Sequence, residues 1–220
     1  MQRDLFEGID DNKIQLSDGA FLLKAFALPF EQTLMKAIHS ISNNAPFRHL
    51  MTPGGRRMSV AMTNCGLAGW VSDKGGYRYD HLDPLSNEVW PAMPYEFSSL
   101  AQQAAETTGF YNFSPNSCLI NRYEPGARLA LHQDKDEGDF SQPIVSVSLG
   151  LPAKFLFGGQ KRSDKPLRTQ LVHGDVVVWG GASRLAYHGI DRLKEGHHEL
   201  TGAYRYNLTF RSAKIIENLE

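Results

Sequence analysis

From Ser117 onward the chain breaks into short runs of β-branched and apolar residues separated by turn formers, and this alternation constrains the fold more than any other feature. The runs are Cys118 to Tyr123, Ile144 to Leu151, Phe155 to Phe157, Val176 to Trp179, Arg184 to Ile190 and Tyr204 to Arg211. Pro125-Gly126, Gly158-Gly159, His173-Gly174-Asp175 and Gly180-Gly181 punctuate them. Many short strands with frequent turns imply a sandwich or barrel, and a jelly roll is the simplest closure. At 220 residues, with 41% hydrophobic and 21% charged content, the chain can bury one core.

Two helices are expected before these strands. Phe30, Leu34, Ile38 and Ile41 recur at helical intervals, as do Phe97, Leu100, Ala101 and Ala104. Pro94 suits the first turn of the second helix and Gly109 its C-terminal cap. Both helices should brace one face of a sheet. Residues 46–92 are rich in Gly, Pro, Asn and aromatics with little periodicity, which predicts loops and hairpins covering a site rather than core. The resulting division is an N-terminal extension over 1–14 and one domain over 15–220, with a recognition lid at about 46–92 and a jelly-roll core at about 115–212.

The N-terminus mixes acids with apolar residues and has neither a signal peptide's hydrophobic stretch nor an arginine-rich leader, so a cytoplasmic protein is expected. The apolar segment from Phe21 to Phe30 is too short to span a bilayer. Cys65 and Cys118 share no metal-type spacing and read as buried thiols. A formal net charge of -1 argues against a non-specific nucleic-acid coat while leaving room for a small basic groove.

The chemistry-bearing residues are His132-x-Asp134 and, far downstream, His188. In a strand, residues i and i+2 project from one face, so His132 and Asp134 can reach a single ion without bending the backbone. With the His188 imidazole as third ligand, two imidazoles and one carboxylate would form a facial triad of the kind that holds non-haem Fe(II) and leaves the opposite positions open. Zinc is the competing ion, since the same donors bind it. Taken singly, each histidine is more often a surface or structural residue.

The tail Arg205-Tyr-Asn-Leu-Thr-Phe-Arg211, read as a strand, puts Arg205, Asn207, Thr209 and Arg211 on one face and Tyr206, Leu208 and Phe210 on the other. Two arginines on the inner wall of a barrel are costly unless an anion meets them. A guanidinium fork suits a carboxylate. Asn121 and Tyr123, again i and i+2, are expected to point at the same ligand from a neighbouring strand. A solvated surface strand is the competing reading.

With these residues stand longer stretches: Thr-Pro-Gly-Gly (52–55), Met-Ser-Val-Ala-Met-Thr-Asn-Cys-Gly (58–66), Cys-Leu-Ile-Asn-Arg-Tyr (118–123), Leu-His-Gln-Asp-Lys-Asp-Glu (131–137), Pro-Ile-Val-Ser-Val-Ser-Leu-Gly-Leu-Pro (143–152) and His-Gly-Asp-Val-Val-Val-Trp-Gly-Gly (173–181). Together with the tail, and across about residues 15–212, the chain resembles the AlkB family of Fe(II)- and 2-oxoglutarate-dependent dioxygenases. The resemblance implies a mostly β fold with flanking helices, a double-stranded β-helix (jelly roll) with an N-terminal nucleotide-recognition lid. It implies Fe(II) on His132, Asp134 and His188, with 2-oxoglutarate and O2 as cosubstrates. Arg205 would pair with the far carboxylate of 2-oxoglutarate, assisted by Asn121 and Tyr123. Arg211 would lie nearer the chelated end, and Asn207 would belong to the same binding strand.

The same resemblance implies oxidative demethylation of 1-methyladenine and 3-methylcytosine in DNA, single-stranded in preference to double-stranded, with 2-oxoglutarate converted to succinate and the methyl group released as formaldehyde. Trp70 matches the aromatic that stacks on the extruded base opposite His132, and Asp136 the carboxylate that reads its exocyclic edge, with Glu137 adding to the field. Tyr77, Tyr79 and Arg162 match positions at the mouth that meet the nucleotide. Arg56-Arg57 and the segment from Lys161 to Arg168 are two basic stretches expected to line the strand-binding groove. A monomer is expected. The alternatives are a dioxygenase acting on RNA or protein, and a binder of damaged bases without turnover.

Overall fold

The computed structural model describes residues 12–214. The extension expected over 1–14 therefore lies outside the described residues except for its last three. Two of these, Lys13 and Ile14, begin strand β1 (Lys13–Ser17), which turns directly into β2 (Ala20–Leu23). Helix α1 (Glu31–Asn44) follows, burying Leu34, Met35, Ala37, Ile38 and Ile41 along one face, with Glu31 in the first turn where the helix dipole favours an acid. Next come β3 (Arg48–Met51), β4 (Arg57–Gly66), β5 (Gly69–Asp73) and β6 (Gly76–Asp80).

Helix α2 (Tyr95–Thr107) buries Phe97, Leu100, Ala101, Ala104 and Ala105. Pro94 is its extended N-cap rather than a first-turn residue, and Gly109, at φ +89°, supplies the left-handed residue past its end. The remaining strands are β7 (Ser117–Tyr123), β8 (Leu129–His132), β9 (Ile144–Gly150), β10 (Ala153–Phe157), β11 (Leu167–Leu171), β12 (Val176–Trp179), β13 (His188–Ile190) and β14 (Arg205–Arg211).

The strands build an eight-stranded sheet in the order β1-β2-β12-β9-β14-β7-β4-β3 and a four-stranded sheet in the order β11-β10-β13-β8. Strands β7 to β14 divide evenly between the two sheets, which is the expected jelly roll. The large sheet is widened by β1 and β2 on one edge and by β4 and β3 on the other. Its outer face packs on the helices through Ile120, Val145, Val147, Val178, Leu208 and Phe210. Its inner face meets the small sheet through Leu119, Ile144, Phe155, Phe157, Val177 and Trp179. Because both faces are covered, β9, β12 and β14 are buried along their whole length; β12 reads as a continuous apolar run, whereas β9 and β14 alternate, turning hydroxyl, amide and guanidinium groups onto the inner face.

Three expectations are corrected. The stretch 46–92 is not loop throughout: β4 is a ten-residue strand, buried from Val60 to Cys65, and it pairs with β7 from Ala61↔Arg122 to Gly66↔Ser117. Its sequence carries no clean alternation because it too is covered on both faces. The run Arg184 to Ile190 is a strand only from His188. A 3-10 turn over Gly181–Ser183 and the inward placement of Arg184 occupy the part before it. Finally, β8 stops at His132, so Asp134 stands two residues beyond the strand. Among the described residues, no helix is long and apolar enough to cross a membrane.

Candidate metal centre

Strands β8 and β13 pair antiparallel with His132 directly opposite His188, and this register makes the site. The ladder shifts between His188 and Ile190, where Gly189 allows the close approach. A Cβ there would meet the Leu129 carbonyl oxygen at 2.6 Å. The two imidazole rings lie 4.4 Å apart. Each donates its Nδ1–H to the carbonyl two residues earlier, His132 to Ala130 at 2.9 Å and His188 to Ala186 at 3.0 Å. Those bonds fix the tautomers and leave both Nε2 lone pairs free for a metal.

Asp134 completes the group. One carboxylate oxygen is 3.5 Å from His132 Nε2 and the other 3.8 Å from His188 Nε2, so one ligand atom from each residue falls within 4.8 Å of the rest. Burial pushes the Asp134 carboxyl up, but the Arg211 guanidinium and the two imidazoles outweigh it and hold the group far below the usual carboxylate range. His188 is pushed down to about 4, by burial first and by His132 second. At neutral pH the set is one carboxylate and a neutral imidazole at His188, with His132 alongside.

The inner face of the large sheet supplies the neighbouring pocket. Arg205 pairs in register with Tyr123, and Asn207 with both Asn121 and Ser148. Arg205, 1% exposed, donates through Nη2 to Ser148 Oγ at 3.0 Å, while its Nε and Nη1 are buried with no hydrogen-bond partner among the described residues. Asn207 donates to Ser146 Oγ at 2.8 Å and accepts from Asn121 Nδ2 at 3.1 Å, which leaves Asn121 Oδ1 unpartnered. Arg211 grips Asp134 through Nε and Nη2, at 2.9 and 2.7 Å, and keeps Nη1 unpartnered.

These orphaned atoms test the fit. Buried polar groups in folded proteins nearly always have partners, so a wall of unused guanidinium N–H groups beside two imidazoles and a carboxylate is built for an anion next to a metal. The donor set is that of non-haem Fe(II), and unpartnered guanidinium N–H groups suit a carboxylate. Ser146 and Ser148 were missed by sequence reasoning. Their signal was present, as two hydroxyls at alternate positions in an otherwise aliphatic strand.

The hairpin β5–β6 carries three of the residues expected to meet the substrate, Trp70, Tyr77 and Tyr79. Trp70 donates its Nε1–H to Asp136 Oδ2 at 2.9 Å, and Tyr77 stacks on the Trp70 ring at 5.6 Å and 13°. Arg162 is exposed in the loop between β10 and β11, with its guanidinium 6.0 Å from the ring of Tyr187, the neighbour of His188. Two placements differ from expectation. The Tyr79 hydroxyl turns inward and donates to Glu137 Oε1 at 2.9 Å instead of standing at the mouth. Glu137, 1% exposed, has its oxygens taken by Tyr79, Arg184 and Arg211. It is a counter-ion to buried arginines, and its charge is not open to a base.

Comparison with known proteins points the same way. A model of the 2OG-Fe(II) oxygenase superfamily matches residues 19–211. The chain is 57% identical to the alpha-ketoglutarate-dependent dioxygenase AlkB of Salmonella typhimurium, over 90% of its own length and 92% of that protein's. It is 55% identical to the protein of the same name from Escherichia coli, over 96% and 97%. Among solved structures, that of OsALKBH1 superposes with a TM-score of 0.79 at 30% identity, covering 90% of this chain and 99% of the other.

Proposed function

The chain belongs to the 2OG-Fe(II) oxygenase superfamily and, within it, to the AlkB family, and from that premise we propose that it repairs DNA by oxidative removal of N-linked methyl groups from 1-methyladenine and 3-methylcytosine. The observation that carries this reading is the buried, unsatisfied fork of Arg205 beside the His132, Asp134 and His188 cluster. Fe(II), when held by those three residues, supplies the activation of O2 that converts 2-oxoglutarate to succinate and CO2 while the second oxygen atom enters a methyl C–H bond. The resulting N-hydroxymethyl group breaks its C–N bond, with the hydroxyl proton moving to nitrogen, and leaves as formaldehyde.

The side chains position and select. Arg205 Nε and Nη1 receive the far carboxylate of 2-oxoglutarate, with Tyr123 and Asn121 flanking it and Ser148 fixing the fork. Arg211 clamps one oxygen of Asp134 and keeps the ligand charged. A methylated base must leave its stack to enter, and a damaged pair gives it up more cheaply. Trp70, with Tyr77 over one face, offers the other face to the flipped base. Asp136 spends one oxygen on Trp70 and keeps the second for the exocyclic amino group, where its charge favours a cationic lesion.

The reading is completed by a monomeric, cytoplasmic enzyme that prefers single strands. The test is an anaerobic titration with Fe(II) and 2-oxoglutarate, followed by O2 and a methylated oligonucleotide. Succinate and formaldehyde are expected in equal amounts, and neither is expected from Asp134→Ala. Absence of 2-oxoglutarate consumption by the iron-loaded protein overturns the proposal, and binding without formaldehyde makes the chain a damaged-base binder. Matched methylated RNA and DNA substrates separate those two activities.

A further inference from the structure

Asp134 is the one ligand of the cluster outside a strand, in a segment, 133–143, without regular secondary structure. A carboxylate on such a segment would have to be ordered at the moment an ion arrives, at an entropic cost. Arg184 opposes that freedom. It is 3% exposed and reaches three points of the segment at once: Nη1 to the Asp134 carbonyl at 2.8 Å, Nε to the Gln142 carbonyl at 2.9 Å and Nη2 to Glu137 Oε2 at 3.1 Å. Gln133 returns a bond to the Leu185 carbonyl at 2.7 Å. Arg184 and Leu185 lie just before His188, so these bonds tie the chain segments of two ligands together.

The contacts close a ring. From the Asp134 carbonyl the path runs through Arg184 to Glu137 Oε2, from Glu137 Oε1 to Arg211 Nε at 3.3 Å, and from Arg211 back to the Asp134 carboxylate. Two guanidinium groups balance two carboxylates, so Glu137 keeps the burial of both arginines tolerable. Asp134 is thus held at both its backbone and its side chain.

Resting on the functional reading above, we propose that Arg184, through Glu137 and Arg211, is a positioning residue that sets Asp134 in its ligating pose before metal binds. Partners of this kind typically change metal affinity 10- to 100-fold when removed. In the full chain, Arg184→Gln is therefore expected to raise the Kd for Mn(II) roughly 10- to 100-fold. The visible absorption spectrum of the Co(II) form should change, while 2-oxoglutarate affinity at saturating Mn(II) stays the same. Arg184→Lys keeps the charge beside Glu137 but cannot span all three acceptors, so it should recover part of the loss. Glu137→Gln keeps volume and removes the balancing charge, and it should weaken Mn(II) binding in the same direction.

Folded variants with wild-type Mn(II) affinity and an unchanged Co(II) spectrum overturn the proposal. So does an Arg184→Gln chain that cannot fold when Arg184→Lys and Glu137→Gln bind Mn(II) normally, because the role is then architectural. Wild-type protein that binds no Mn(II) overturns the functional reading itself, a result distinct from either of these.

Discussion

Arg205 lies directly opposite Tyr123 across the β14–β7 ladder, with its guanidinium carbon 4.9 Å from the centre of the phenol ring. Among the described residues no carboxylate meets it, and burial pulls its pKa down. The missing counter-charge has to come from a ligand. Truncating one partner of a buried charge pair costs roughly 2–5 kcal/mol, so Arg205→Ala should raise the 2-oxoglutarate Kd of the Mn(II)-loaded protein by at least about thirtyfold. Calorimetric titration reads this directly. Wild-type affinity in the variant would remove Arg205 from the cosubstrate site.

Much of this architecture was legible because its signals are periodic. The alternation in 205–211 placed the arginines and the apolar residues on opposite faces, and the neighbouring strand was identified through Asn121 and Tyr123. What stayed hidden depends on tertiary closure. β4 has no alternation because sheet and helices cover it on both sides. The register of His132 against His188 depends on a glycine whose importance appears only when β8 and β13 touch. Glu137 was expected to add its charge to that of Asp136 at the base. Only the fold shows that Arg184, far along the chain, draws it inside.

Trp70 makes two separable contributions, a ring face for the base and an N–H for Asp136. Stacking of a base on an aromatic side chain is worth about 1–3 kcal/mol, so Trp70→Ala should raise KM for a methylated oligonucleotide roughly five- to hundredfold. Trp70→Phe keeps a ring and loses the N–H, so its smaller loss measures the Asp136 contact. Steady-state formaldehyde assays at saturating 2-oxoglutarate decide the matter. Equal KM values across all three proteins would place the base elsewhere.

The metal-free protein should lose stability as pH falls from about 6.5 toward about 4. His188 refuses a proton in the folded state until about 4, against an ordinary value of 6.5, while the unfolded chain accepts one near that value. Between these limits the unfolded state binds more protons, so stability rises with pH, by on the order of 3 kcal/mol across the whole window if the site stays rigid. His198, depressed by burial and by His173, adds a smaller contribution of the same sign. Urea denaturation of chelator-treated protein along this pH series should steepen in wild type and His198→Asn, and flatten in His188→Gln. Parallel curves for wild type and His188→Gln would show that His188 is not the group responsible.

Arg56 and Arg57 sit exposed at the β3–β4 turn, where Thr52 caps the loop by accepting the Arg56 N–H at 3.1 Å. β3 is fastened to the strand that carries Trp70 by the Ser72 hydroxyl, which donates to the Met51 carbonyl at 2.7 Å. The turn therefore flanks the base-binding hairpin, and its two cations can neutralise two phosphates of a bound strand. Each phosphate contact to a single strand contributes about 0.7 to the slope of log affinity against log salt. Replacing both arginines with alanine should reduce that slope by roughly 1.4 while leaving 2-oxoglutarate affinity unchanged. Fluorescence anisotropy with a methylated single-stranded oligonucleotide over a salt series gives the number. A slope and affinity identical to wild type would move the strand-binding groove away from this turn and toward the second basic segment around Arg162.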